Sequence, residues 1–132
     1  YNKEREGIIM AKKTLSQYTI TTALKYLQDE VLKITGYTKT MYQYKAIEFF
    51  LNGDRQIDER LKITAKTNPM YVKREVRDQI YLDPVQHIEI KKVAADQGVK
   101  ISVVLFQAVL NYTCIQANLL GIAGQIIHND NK

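Results

Sequence analysis

The order of structural elements is set by residues 77–112, which read RDQIYLDPVQHIEIKKVAADQGVKISVVLFQAVLNY. Ile80 and Leu82 face one side of an extended segment, and Arg77, Gln79 and Tyr81 face the other, which predicts a strand over 76–82 with one apolar face. Asp83 and Pro84 predict a helix start, because the carboxylate accepts hydrogen bonds from free helical amides and proline fits the first helical position. Gly98 predicts the end of that helix, where a left-handed residue is needed.

A second helix is predicted to follow, with Ser102 as its N-cap. Its apolar residues recur at helical spacing: Val103, Leu105, Phe106, Val109 and Leu110. One strand and two short helices comprise roughly 40 residues, which are too few to bury a hydrophobic core alone. The unit therefore needs a partner.

The order and spacing of a few positions in this stretch are distinctive. They are Arg77 to Pro84, Val93, Ala94, Gly98, Ser102, Ala108 and Tyr112. In these residues the segment resembles the ribbon-helix-helix DNA-binding proteins, a family that includes small phage repressors, plasmid-partition proteins and antitoxins. The resemblance implies that two strands pair antiparallel and enter the major groove of duplex DNA.

The sequence also contains an internal repeat with an offset of 62 residues. This shift places Gly36 on Gly98 and Gln17 on Gln79. It predicts a strand over Thr14–Ile20, a helix over Thr22–Thr35, a turn at Gly36 and a helix over Met41–Leu51, whose cap is Thr40 in a capping box with Gln43. The alternative is two unrelated helical hairpins in chance register.

The predicted organisation has two copies of the unit in one chain. The segments are a flexible N-terminal arm over 1–12, a first copy over 13–51, a linker with a short amphipathic helix over 52–74, a second copy over 75–120 and a tail over 121–132. Residues 1–9 are interpreted as an extension upstream of a natural start at Met10, or alternatively as an arm that contacts DNA. The expected fold class is mainly α with a two-stranded antiparallel β-ribbon.

With two copies, the resemblance narrows to tandem ribbon-helix-helix proteins such as the TraY-like conjugation accessory proteins. The first copy departs from the pattern, because it lacks the proline and has Leu15 where the second copy has Arg77. Whether the two copies pair within one chain or between chains stays open at this point.

The candidates for base contact are the residues on the outer face of the two strands. Arginine and glutamine side chains can read guanine and adenine edges in the major groove, and a two-stranded ribbon fits that groove. The candidates are Lys13, Leu15, Gln17 and Thr19 from the first strand and Arg77, Gln79 and Tyr81 from the second. An ordinary solvated edge strand would show a similar pattern.

The candidates for phosphate contact lie at the start of each second helix, where free amides bind anions. They are Thr40 with Met41 and Lys39, and Ser102 with Val103 and Lys100. Lys73 and Arg74 precede the second strand and are expected to add nonspecific attraction. The alternative is that both hydroxyls only cap their helices.

Composition limits the other classes of function. The chain has 132 residues, a net charge of +5 and a pI near 9.2, which suits a polyanionic partner. Its one cysteine, Cys114, is expected to be a small core residue in a cytoplasmic protein. No apolar run approaches the roughly 20 residues of a membrane span, so no membrane contact is expected.

No catalytic, cofactor-binding or metal-binding pattern is present in the sequence. His87, His128 and Cys114 are the only usual nucleophile and base candidates, so we expect a protein that is not an enzyme and needs no cofactor. A helical protein-interaction adaptor is the alternative from another class. The apolar pattern continues through Ile115, Leu119 and Leu120, which indicates either a helix packed on its own domain or a surface for self-association on adjacent DNA sites.

The expected function is therefore sequence-specific binding of double-stranded DNA. By resemblance, the favoured role is an accessory factor at a plasmid origin of transfer, with a relaxase or another DNA-processing protein as partner. A transcriptional repressor of the same fold, autoregulatory or antitoxin-like, is the second role.

Overall fold

The structure, a computed structural model, describes residues 13–123. The arm predicted for residues 1–12 and most of the predicted tail lie outside the described residues. The elements are, in chain order, strand β1 (Thr14–Ile20), helix α1 (Thr22–Thr35), helix α2 (Lys39–Leu51), a 3-10 helix (Glu59–Lys62), strand β2 (Val76–Leu82), helix α3 (Pro84–Gln97) and helix α4 (Ile101–Leu119).

The described chain is a mixed α/β fold with four helices and a two-stranded antiparallel sheet. The predicted combination of helices with a β-ribbon is thereby confirmed. β1, α1 and β2 have the predicted bounds. β1, α1 and α2 begin at residues 14, 22 and 39, and β2, α3 and α4 each begin 62 residues later.

Both first helices are delimited by the local signals expected from the sequence. Thr21 caps α1, and Asp83 caps α3 in a capping box with Gln86. Gly36 and Gly98 end these helices in the left-handed region, at φ 74° and 66°. A side chain at either position would be strained, because L-residues rarely adopt that conformation.

The predicted starts of the second helices are each wrong by two residues. Thr38, not Thr40, caps α2, since the Thr38 hydroxyl accepts a hydrogen bond from the Met41 amide at 3.2 Å. Gln43 does not close a capping box but is buried under the sheet. Lys100 is the N-cap of α4 without any side-chain bond, and Ser102 lies inside the first turn.

The linker contains a 3-10 helix instead of the predicted amphipathic α-helix. Gln97 and Gln107 side chains accept hydrogen bonds from the amides of Ile57 and Asp58, at 3.1 and 2.8 Å. These amides are therefore used for tertiary contacts instead of helical ones. Ile57 and the nearby Leu61 are both buried in the main core, so the linker packs on the body of the protein.

The core lies beneath the sheet, and the two halves of the chain interlock. The inner face of the sheet buries Tyr18 and Ile20 from β1 and Ile80 and Leu82 from β2. α2 packs on β2 and α4 packs on β1, so each half covers the strand of the other. α4 also packs on the other three helices, which makes it the central element of the core.

One buried side chain in this core has no polar partner. Gln28 on α1 is fully buried, and neither its amide nitrogen nor its amide oxygen forms a hydrogen bond among the described residues. The position 62 residues later is Ile90, which is also fully buried. The first half therefore carries a polar group where the second half carries an apolar one.

Replacing Gln28 with methionine, which has nearly the same shape, is expected to raise the free energy of unfolding. Burying an amide without hydrogen bonds costs about 1–3 kcal/mol, and the thioether avoids that cost. Urea denaturation followed by circular dichroism measures the change. The control is Gln116→Met on half-buried Gln116, which should change stability by less than about 0.5 kcal/mol. A Gln28→Met protein no more stable than the parent would contradict this expectation.

Candidate nucleic-acid interface

The outer face of the ribbon carries six of the predicted base-contacting residues. In the antiparallel register Gln17 lies opposite Gln79, and this pair occupies the centre of the ribbon. Leu15 lies opposite Tyr81, with 45% and 49% of their surfaces exposed. Thr19 and Arg77 form the third outward pair. The seventh candidate, Lys13, is exposed just before β1.

A surface groove of about 620 Å³ joins this ribbon to the starts of the second helices. Its walls include Gln17, Arg77 and Gln79 from the ribbon, Lys39 from the first residue of α2 and Ser102 from α4. The structure thus brings two predicted phosphate candidates, Lys39 and Ser102, next to the predicted base-reading side chains.

A buried carboxylate, Asp78, lies beneath this groove on the inner face of β2. Its Oδ2 accepts a hydrogen bond from the Tyr18 hydroxyl at 3.1 Å, and its Oδ1 forms an ion pair with Lys39 Nζ. The Asp78 side chain is only 5% exposed, whereas that of Lys39 is 44% exposed. Lys39 is therefore tied to the ribbon while its ammonium group still reaches the groove.

The same network holds the backbone of Gln79 on both sides. Asp78 Oδ1 accepts from the Gln79 amide at 2.9 Å, and Gln43 Nε2 donates to the Gln79 carbonyl at 2.9 Å. Burial and the adjacent Asp78 charge raise the pKa of Tyr18, so its hydroxyl remains a protonated donor at neutral pH. Sequence reasoning missed Asp78, Tyr18 and Gln43 as parts of the site; a carboxylate on the apolar face of a predicted strand was the available signal.

The backbone amides at the start of α2 differ in whether they already form hydrogen bonds. Met41 and Thr40 are exposed, but the Met41 amide is already bound to Thr38. Among the described residues, the amides of Lys39 and Thr40 form no hydrogen bond. Over residues 13–123, the amides without a hydrogen bond at this helix start are therefore those of Lys39 and Thr40, not that of Met41.

The start of α4 differs in a similar way. Val103 is buried, and its amide donates to the Lys100 carbonyl at 3.0 Å, so Val103 is not free to hold a phosphate. The earlier amides of Ile101 and Ser102 form no hydrogen bond within the described range. Lys100 is exposed beside them.

The two cations before β2 are held by contacts within the protein. The Arg74 guanidinium lies 5.5 Å from the centre of the Phe106 ring, a cation–π contact that fixes its direction. Lys73 Nζ lies 3.1 Å from a carboxylate oxygen of Glu75, and both side chains are exposed. Exposed ion pairs contribute little stability. A phosphate can therefore readily replace Glu75 as the partner of Lys73.

The remaining candidates are scattered over the molecule. Cys114 is exposed, so its prediction as a core residue is wrong; it lies on the outward side of α4. His87 is half-buried on α3, where desolvation and the nearby Lys91 lower its pKa. His128 lies outside the described residues. Residues 13–123 contain no group of three or more His, Cys, Asp or Glu side chains arranged to hold a metal ion.

The end of α4 exposes apolar residues. Ile115, Leu119 and Leu120 are 40%, 74% and 37% exposed, respectively. In the range 13–123 no single helix is both long and apolar enough to cross a membrane. The one consecutive pair of helices that is long and apolar enough when taken together, α3 with α4, is bent by 107°.

No protein-family model matches the chain, and no curated protein or solved structure shows significant similarity to it.

Proposed function

We propose that the chain is a tandem ribbon-helix-helix protein that inserts its β-ribbon into the major groove of duplex DNA and reads the base sequence there. The observation that carries this proposal is the central pair of the ribbon. Gln17 and Gln79 are equivalent under the 62-residue offset, and they lie opposite each other with both side chains exposed.

This pairing is what a two-fold arrangement of two copies requires. In a self-complementary interface, equivalent residues meet on the axis and all other pairs occur twice. The pair of Leu15 with Tyr81 has its counterpart in the pair of Arg77 with Thr19, under the same offset. The second helix of each half covers the strand of the other half. This arrangement supports two incomplete units that complete one another within one chain.

The chemistry of the ribbon suits base recognition. A glutamine side chain can donate to and accept from one adenine, and an arginine can donate two hydrogen bonds to one guanine. Gln79 has its backbone held on both sides, so its side chain projects from a fixed position. Lys39 and the free amides at the starts of α2 and α4 flank the ribbon, where they would meet phosphates.

The two halves of the recognised site would differ. Arg77 and Thr19 lie on one side of the central glutamines, and Leu15 and Tyr81 lie on the other. A guanine is favoured near Arg77, whereas Leu15 offers only apolar contact, which suits a thymine methyl group. The proposed target is therefore an imperfect palindrome.

The biological role within this proposal is an accessory factor at a plasmid origin of transfer, with transcriptional repression as the second role. Both roles need the same DNA-binding surface. Selection of sites from random duplexes, followed by a search for the recovered site near transfer or promoter sequences, distinguishes them.

The binding experiment titrates a labelled random duplex and the matching single strand at 50 and 200 mM salt. If about six phosphates are contacted, affinity for the duplex should fall on the order of 1,000-fold between these concentrations. The single strand is the control, because it has no major groove for the ribbon. Weak duplex binding with a flat salt dependence would instead favour the helical adaptor.

A further inference from the structure

The linker between the two halves forms a second basic surface. Two adjoining concavities of about 550 and 370 Å³ lie along it, and both include Lys66, Tyr71 and Arg74 in their walls. We call their combined surface the linker groove and define it by its five cations: Lys62, Lys66, Lys73, Arg74 and Lys100.

The linker groove is held in shape by contacts to the rest of the protein. Arg60 Nε donates to the Met70 carbonyl at 3.1 Å, and the Met70 amide donates to Asn68 Oδ1 at 2.8 Å. Leu61 is buried in the main core, and Arg74 is held over Phe106. The cations therefore project from a folded segment, which reduces the entropy lost when an anion binds.

Its charge is strongly positive. Among the described residues, Glu75 is the one acidic side chain in the walls of the two concavities, and it is paired with Lys73. Lys62 is paired with the exposed Glu59 at 2.9 Å. Within the described part of the chain, Lys66 and Lys100 form no ion pair. An extended polyanion complements this arrangement, because several cations lie along one path.

The linker groove and the ribbon groove are lined by neighbouring residues at the start of α4. Ser102 lies in the wall of the ribbon groove, whereas Lys100 and Val103 lie in the wall of the linker groove. Arg74 in the linker groove and Arg77 in the ribbon groove are three residues apart along the chain. A nucleic-acid strand that passes the ribbon at this end would continue into the linker groove.

We propose that the linker groove binds the phosphate backbone of the DNA segment that flanks the ribbon site on the α4 side. This inference rests on the proposed function and adds to it a one-sided extension of the contact. The linker occurs once in the chain, between the two halves, so the start of α2 has no equivalent groove built from it. The linker would thus give the bound protein a direction on an otherwise nearly palindromic site.

The test compares the double variant Lys62→Ala with Lys66→Ala against the control double variant Lys33→Ala with Lys91→Ala. The control removes the same charge from exposed positions on α1 and α3 that line neither groove. Binding to the selected duplex is measured over a range of salt concentrations, together with hydroxyl-radical footprints of both strands. Thermal unfolding checks that each variant folds.

The slope of log affinity against log salt should become shallower by about 2 in the Lys62/Lys66 variant, since each lost phosphate contact removes about 0.9. Its footprint should shorten on one flank only. The control should keep the parental slope and footprint. A second variant, Lys66→Glu, keeps Lys62 and should shorten the footprint on the same flank.

The outcomes separate this inference from the function on which it rests. One outcome is that the parent protein binds DNA with a steep salt dependence but the Lys62/Lys66 variant behaves like the control. In that case the linker inference is wrong and the ribbon proposal stands. If the parent protein shows no salt-dependent duplex binding, both are wrong. A footprint that shortens equally on both flanks would also overturn the one-sided contact.

Discussion

The Asp78→Ala variant is expected to lose about 3 kcal/mol of its free energy of unfolding. The Tyr18 hydroxyl and the Gln43 amide both donate toward this carboxylate, and both residues are buried. Removing the acceptor leaves Tyr18 without its strongest partner and loosens Gln43, whereas the partly exposed Lys39 can turn to water. Urea denaturation followed by circular dichroism measures the loss.

An exposed aspartate provides the matched control. Asp29 is paired with Lys25 at 2.8 Å on α1, but both side chains are about half exposed, at 52% and 42%. Asp29→Ala should therefore cost less than about 0.5 kcal/mol. In a double-mutant cycle, Tyr18→Phe should cost less in the Asp78→Ala background than in the parent. Equal losses for the two alanine variants would show that the Asp78 network does not stabilise the fold.

The regular elements could be predicted because their signals are local. Alternation of apolar residues located both strands, and Pro84 with Gly98 located the ends of α3. The repeat then transferred these signals to the first half, where the cap is a threonine and no proline is present. Strand, cap and turn residues determine the backbone conformation of positions only a few residues away. A single sequence therefore contains the information needed to locate these elements.

The starts of α2 and α4 were harder to predict for a physical reason. Thr38 and Thr40 are both suitable N-cap residues. The helix begins after whichever of them has an extended backbone, and the sequence does not show which one that is. Thr38 has φ −70° and ψ 151°, so the helix begins at Lys39. Lys100 is equally extended but has no capping side chain, and no cap signal could identify it.

The linker and the polar network depend on contacts between distant residues. Gln97 and Gln107 bind linker amides across 40 and 49 residues of sequence, and this draws the chain out of helical geometry. Asp78 meets Tyr18 across 60 residues and Lys39 across 39. Such partners follow from the fold and cannot be read from local spacing. The outward face of the ribbon was predictable because strand alternation alone decides it.

The outward side chains of the ribbon and the buried polar network should respond differently to mutation. The outward glutamines are not part of the buried network, so changing their side chains should leave the fold intact. The backbone bonds that hold Gln79 come from Asp78 and Gln43 and do not involve the Gln79 side chain. Loss of sequence recognition can therefore be measured separately from loss of stability.

The double variant Gln17→Ala with Gln79→Ala is expected to lose preference for the central bases of the selected site. Each adenine contact made by a glutamine contributes about 1–3 kcal/mol of discrimination, so the ratio of specific to random binding should fall at least about 30-fold. The slope of log affinity against log salt should not change, because neither side chain carries charge. Competition between the selected duplex and variants at each base pair measures both quantities.

Lys100→Ala is the complementary control, since Lys100 is a phosphate candidate that is exposed at the start of α4. If its ammonium group contacts phosphate, affinity should fall for all sequences alike, and the salt slope should become shallower by about 1. The opposite pattern is expected for the glutamines under the proposed base contact, because uncharged side chains release no counterions. A Gln17/Gln79 variant that keeps the base preferences of the parent would rule out reading by this pair.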